Sequence, residues 1–331
     1  RAHVVAFDLS ESGVYPVSIR ELMEMGFDLE WALDTPLTYS QSNGTPELRE
    51  ALGLIYPGAS IDQIEVTNGT SEANFMVALS LLKEGDEFAL EVPNYMQLWG
   101  VPRSLGAKVN RFCLRADRGW EPDWEEFESA VNPRTRLVYV SNPNNPTGSV
   151  LSRESMERIV RRCEEVEAYL IADEVYLGAE IHRDRTPSFW GMSDRVIVTS
   201  GLSKAYGIPG ARIGWIVGPR EIVAECWAQH DSLTICPNKL SDAIARVAVD
   251  PENRSRLYSR GRELLQGNLE IMNSWLTGLG DGFSYSPPEA GALCFVRYPG
   301  EVPSIELCER IRERQNTLIV PGTHLGMEGY I

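Results

Sequence analysis

The chain has 331 residues, 43% of them hydrophobic and 24% charged, and reads as an ordinary soluble protein with enough length for about two domains. Its 31 Lys and Arg stand against 47 Asp and Glu, a formal net charge of −16. That excess argues against a nucleic-acid partner or an anionic membrane surface, so any phosphate the protein binds has to be held locally.

Six cysteines are scattered without a CxxC pair, and the 4 histidines are not spaced as metal ligands. Reduced structural thiols, no metal and a cytoplasmic setting are the expectation. No apolar run approaches the ~18 residues of a membrane span.

In chain order, the first thirty-odd residues are irregular, with SESGVYPVS as a loop. We expect residues 1–35 to pack with a small C-terminal domain. From 36 to 250, strand-like and helix-like runs alternate. QIEVTNG precedes SEANFMVALSLLK, EFALEVPN precedes YMQLWGVPRSLG, and RLVYVSNPNNPTG precedes the amphipathic RESMERIVRRCEEVE. AYLIADEVY, RVIVTSGLSK and RIGWIVGP follow. Apolar, β-branched runs separated by helices predict an α/β fold with a mostly parallel central sheet and helices on both faces. Near Pro251 the character changes. PENRSRLYSRGRELLQGNLEIMNSWLTGL reads as one long helix, FSYSPPEAGALCFVRY as a strand and PSIELCERIRERQN as a helix, together a smaller α+β domain over 251–331.

In an open α/β sheet, ligands sit beyond the carboxyl ends of the strands. Polar clusters fall at such ends here: Asn68 to Ser71, Asn142 to Gly148, Asp173 to Tyr176 and Ser200 to Lys204. Each also has a plain structural reading. NPNNPTG is a rigid turn, DEVY a strand end with a capping acid, Gly69-Thr70-Ser71 a helix cap, and a single lysine a solvated charge.

Taken together and in this order, NPNNPTG, DEVY, SGLSK and GARIG resemble the class I/II aminotransferases, a family of pyridoxal 5′-phosphate (PLP) enzymes of fold type I. The resemblance runs from about Tyr39 to Trp215, with weaker support in PEAGALCF. It implies a fold-type-I large domain and a Schiff base between PLP and Lys204, whose freed amine then carries a proton. Asp173 would keep the ring nitrogen protonated. Asn145 and Tyr176 would donate to the ring hydroxyl oxygen, and Tyr95 would stack on the ring. Gly69, Thr70 and Arg212 would hold the phosphate with a hydroxyl from Ser200 or Ser203, since the position three before the lysine, usually serine in the family, is Gly201. Tyr39 matches a tyrosine that reaches the neighbouring subunit's phosphate, which implies a homodimer.

The implied reaction moves an amino group between an L-amino acid and a 2-oxo acid. A PLP lyase or amino-acid cyclase of the same fold is the alternative, because the cofactor motifs would look the same. A non-catalytic ligand-binding module is disfavoured by intact Lys204 and Asp173. The family's substrate-carboxylate arginine is expected within a few residues beyond Ile331. Trp99 and Tyr15 are candidates for the pocket wall or for core. His230, in QHDSLTI, is a candidate for facing the site or for a capping or surface role.

Overall fold

Strands built from runs such as LVYV and YLIA carry no polar alternation and must be covered on both faces. The computed structural model describes residues 5–182, 184–280 and 282–331. A short strand β1 (Phe7–Asp8) opens the chain. Then come β2 (Ile64–Thr67), β3 (Glu87–Val92), β4 (Lys108–Arg115), β5 (Glu121–Pro122), β6 (Thr135–Ser141), β7 (Tyr169–Asp173), β8 (Val196–Gly201) and β9 (Gly214–Val217). These form an 8-stranded sheet in the order β2-β9-β8-β7-β6-β3-β4-β5. From β8 through β7, β6 and β3 to β4 all pairs are parallel. Strand β9 is antiparallel to both β2 and β8, and β5 is antiparallel to β4. Because only β9 reverses between them, β2 and β8 point the same way. The carboxyl ends of β2, β3, β6, β7 and β8 therefore share one edge.

The helices are α1 (Ile19–Glu24), α2 (Leu29–Asp34), α3 (Pro46–Gly53), α4 (Thr70–Leu81), α5 (Gln97–Ser104), α6 (Trp124–Ala130), α7 (Arg153–Glu165), α8 (Arg220–His230), α9 (Lys239–Val249), α10 (Pro251–Gly278) and α11 (Ser304–Gln315). Strand alternation divides the core. Leu137, Tyr139 and Ile171 join Ala73, Met76 and Val77 of α4 and Ile222, Val223 and Cys226 of α8 on one face. Val138, Val140, Leu170 and Ala172 join Met156, Ile159, Val160 and Cys163 of α7 on the other. The α7 residues recur at helical spacing behind Ser152, whose side chain caps the Ser155 N–H. Burying such side chains contributes about 25 cal/mol per Å² of apolar surface, so the sheet is clamped from both sides.

Asp250 caps α10, a 28-residue helix with Pro251 in its first turn, where a missing N–H costs nothing. The expected strand in FSYSPPEAGALCFVRY is reduced to isolated bridges of Ala290 with Glu180, Ser284 with Arg297 and Arg297 with Tyr330. Pro287 and Pro288 have no backbone donor to extend a ladder. β10 (Thr317–Leu318) pairs in parallel with β1, so the N-terminal segment is tied to the C-terminal unit. Residues 9–17 then cross toward the sheet edge, where the Val17 N–H donates to the Gly207 carbonyl at 2.8 Å. No helix among the described residues is long and apolar enough to cross a membrane.

Candidate active site

Asp173 ends β7 and its carboxylate is buried. One oxygen accepts Asn74 Nδ2 at 2.8 Å and Tyr139 Oη at 2.9 Å; the other accepts the Val175 N–H at 3.0 Å. Thr199 Oγ1 donates to Asn74 Oδ1 at 2.7 Å, which turns the amide nitrogen toward Asp173. Burial pushes the Asp173 pKa up, with the three donors opposing. A cationic partner would repay that burial.

Lys204 lies in the turn after β8, half-buried, with Nζ donating to Ser12 Oγ at 2.6 Å. Burial lowers its pKa and Arg212 adds to this, while Glu11 and Asp173 pull the other way. The amine is thereby moved toward its neutral, nucleophilic form. Tyr176 is buried and donates to the Ser12 carbonyl at 2.8 Å, and burial raises its pKa. Ser12 thus receives both Lys204 and Tyr176.

An anion cradle lies where α4 begins. Gly69 caps the helix with φ +94°, and a Cβ there would overlap the Arg212 guanidinium. Thr70 Oγ1 is buried with no hydrogen-bond partner among the described residues. Arg212 is exposed and left-handed (φ 51°). Among the described residues its guanidinium hydrogen-bonds to neutral oxygens only: Ser203 Oγ and the Pro209 carbonyl, both at 3.2 Å, and the Asn68 carbonyl at 3.5 Å. A helix N-terminus, an unpartnered hydroxyl and an uncompensated arginine together suit a phosphate. The structure separates the two expected hydroxyls. Ser203 stands beside Arg212, whereas buried Ser200 donates to the Glu174 carbonyl at 3.2 Å and is already committed. A side chain at Gly201 would strike Thr70 Oγ1 and the Ile213 carbonyl, which explains the glycine three residues before Lys204.

The Asn145 backbone is held by Ser141 Oγ at 3.2 Å, and its side-chain amide has no hydrogen-bond partner among the described residues. Tyr95, in the loop after β3, is 49% exposed. Buried Glu91 joins the two loops, accepting Asn94 Nδ2 at 3.0 Å, Asn144 Nδ2 at 2.8 Å and the Ser141 N–H at 3.1 Å. Burial drives its pKa up to about 8 against these donors.

Tyr39 stands apart, 78% exposed between α2 and α3, and no hydrogen bond or ring contact joins it to this cluster. Trp99 packs under Arg103 and Arg111, at 4.1 and 5.2 Å from its ring centre, and on the core face of α5. Tyr15 is exposed and offers its carbonyl to Arg260. His230 is neither a surface nor a pocket residue; it is wholly buried against Glu65. The arginine expected beyond Ile331 lies outside the described residues. Asn74, Tyr139, Ser12 and Glu91 were not picked out in the sequence. A tyrosine in the apolar strand RLVYV and an asparagine in an apolar helix were the available signals, since each needs a partner once buried.

A buried acid, a partly desolvated lysine and a cradle suited to an anion lie on one sheet edge. The chain belongs to the aminotransferase class I and II family, whose model matches residues 18–331, well beyond the Tyr39–Trp215 stretch that carries the motifs. It is 29% identical over 333 residues to capreomycidine synthase of Streptomyces vinaceus, covering 96% of this chain and 82% of that one. It is 28% identical over 303 residues to an aspartate aminotransferase of Thermotoga maritima, covering 88% and 77%. A PLP-dependent aminotransferase structure from Streptococcus suis superposes with a TM-score of 0.91 at 30% identity, covering 99% of this chain and 87% of that one. The protein is a PLP-dependent aminotransferase, acting on amino and 2-oxo acids. The unpartnered Thr70 hydroxyl, the Cβ-free approach at Gly69 and the acid at Asp173 fit its cofactor.

Proposed function

We propose that Lys204 is the catalytic lysine of an enzyme moving an amino group between an L-amino acid and a 2-oxo acid. The observation that carries this is its half-buried amine with a lowered pKa, on the edge shared with Asp173 and the Arg212 cradle. Bound there, PLP supplies an aldehyde for the Lys204 amine and an electron-withdrawing ring that takes up charge from the substrate Cα. Lys204 also carries the proton to and from that carbon. Asp173, fixed by Asn74 and Tyr139, would hold the ring nitrogen protonated. Asn145 and Tyr176 would donate to the ring hydroxyl oxygen, Tyr95 would cover the ring, and Gly69, Thr70, Ser203 and Arg212 would hold the phosphate. Ser12 accepts a hydrogen bond from the Lys204 amine.

The working unit in this reading is a cytoplasmic homodimer. Exposed Leu33, Leu37, Tyr39, Trp227, Leu233 and Ile235 supply an apolar surface, and Tyr39 reaches the partner's phosphate. Residues 36–250 form the cofactor domain; 251–331, with the N-terminal strand on it, form the small domain. Borohydride treatment of PLP-loaded protein, followed by peptide mass spectrometry, should place one cofactor mass on the Lys204 peptide. Unlabelled Lys204 would overturn the assignment. The Streptomyces vinaceus relative, a synthase by name, favours a second reading: elimination or cyclisation at the same cofactor. Incubation with amino-acid and 2-oxo-acid panels separates the two, since only transamination yields a new amino acid together with a 2-oxo acid.

A further inference from the structure

His230 takes no part in the chemistry above, yet it sits directly behind the phosphate cradle. It closes α8 and is wholly buried. Its Nδ1 is 2.8 Å from Glu65 Oε1 on β2, and its Nε2 is 3.7 Å from Glu72 Oε2 in the first turn of α4. That same Glu72 oxygen accepts the Asn68 backbone N–H, and its other oxygen accepts Thr234 Oγ1 at 2.7 Å. Asn68 gives its side-chain nitrogen to Thr234 Oγ1 at 2.8 Å and offers its carbonyl to Arg212 Nη2 at 3.5 Å. Hydrogen bonds thus link β2 to His230 and Glu72 to the residue before Gly69 and on to Arg212, and the 3.7 Å charge contact between His230 Nε2, which has no hydrogen-bond partner among the described residues, and Glu72 joins the two halves.

We propose that His230, as an imidazolium, is a positioning residue for the cofactor phosphate: it holds Glu72 on the Asn68 N–H and so fixes the Asn68–Gly69–Thr70 turn against Arg212. The inference rests on the assignment of Gly69, Thr70 and Arg212 to the phosphate. Two acidic side chains beside one ring favour a positive charge between them, and burial, opposed by the bond to His230, raises the Glu65 pKa to about 7. The other groups facing this cluster are Arg49 of α3, whose charge acts on Glu65, and the Cys226 thiol of α8, on which Glu65 acts. Burial opposes the imidazolium, but the hydrogen bond to Glu65 and the nearby charge of Glu72 outweigh it and raise its pKa to about 9. Without that proton Glu65 and Glu72 repel, and Glu72, whose side chain is 12% exposed, is the one with a route to water. The cradle is consequently tight below a pH of about 9 and loosens as pH rises through it.

Pyridoxamine 5′-phosphate carries the ring and phosphate but no aldehyde, so its binding reports the cradle apart from reaction with Lys204. Its Kd is measured by equilibrium dialysis from a pH of about 7 to about 10.5, with circular dichroism confirming the fold of each variant. His230→Gln should bind roughly tenfold more weakly at neutral pH, the scale of one charge-assisted hydrogen bond. The wild type should weaken toward the variant at high pH, and their difference cancels titration of the ligand itself. Glu65→Gln removes one acceptor of the imidazolium and should move the break to lower pH, which gives a readout even where His230→Gln fails to fold. Arg212→Ala is the control for the cradle. If it weakens binding while His230→Gln matches the wild type at every pH, or while Glu65→Gln leaves the break in place, the role of His230 is overturned and the cradle stands. If Arg212→Ala binds as the wild type does, the cradle assignment is overturned and the inference with it.

Discussion

Asp173 shows how one residue is tuned by its surroundings. Its carboxylate is buried without a cation in hydrogen-bond contact, yet donors from α4, β6 and the chain just beyond β7 fix its position. Asp173→Asn keeps the shape and loses the charge. It should slow turnover on the order of 10³-fold, about 4 kcal/mol, in steady-state assays, with the melting temperature little changed. Near-normal turnover would reduce Asp173 to a structural cap. Glu91 makes a converse prediction about stability. Its folded pKa of about 8 lies above the usual 4.5, so between these values the native state binds more protons than the unfolded chain. The stabilisation it offers is complete below pH 4.5 and is lost as pH rises through about 8. Glu91→Gln preserves the acceptor for Asn94, Asn144 and Ser141 without that loss. It should stabilise the protein by about 2 kcal/mol at pH 8 and flatten the pH dependence of urea melts from pH 5 upward.

At the scale of elements, the start of α4 and the face of α7 do different work. Gly69 combines a positive φ with the closest approach of Arg212, so a methyl group is excluded for two reasons. Gly69→Ala should cost about 1–2 kcal/mol of stability from backbone strain and, by displacing the guanidinium, weaken PLP binding more than tenfold. Fluorescence titration with PLP and a urea melt measure the two effects separately. On α7, Ile159 is fully buried in the apolar core beneath the sheet. Ile159→Ala should cost about 2–5 kcal/mol in urea while leaving KM of the folded enzyme unchanged. A shifted KM would show that the sheet edge moves with its helix layer.

For the whole molecule, the long reach of the chain completes the site. Residues near the N-terminus bring Ser12 to Lys204 and Tyr176, while β1 anchors the same segment on β10. Substrate-dependent movement of the C-terminal unit would therefore move Ser12 as well. The exposed aromatic and aliphatic surface around Tyr39 and Trp227 makes assembly testable. Sedimentation equilibrium should give about twice the 37.0 kDa chain mass. Leu37→Asp should shift the protein toward monomer and lower PLP affinity with it, because Tyr39 then has no partner site to reach. A fully active monomer would remove Tyr39 from the site.

The sequence by itself determined the alternation of strands and helices, and thereby which residues stand at strand ends. Asp173, Lys204 and the Gly69–Thr70 turn were legible because each directly follows or closes an apolar run, and a parallel sheet gathers such ends on one edge. It misjudged FSYSPPEAGALCFVRY, where local apolar character suggested a strand but the prolines removed its donors. Only the tertiary structure decided the partners of those residues. Ser12 and Lys204 are 192 positions apart, Asn74 and Asp173 99, and His230 and Glu65 165. No local pattern encodes such pairs. Each exists because a polar atom carried into the interior by its own apolar element must find a partner among whatever other elements deliver there.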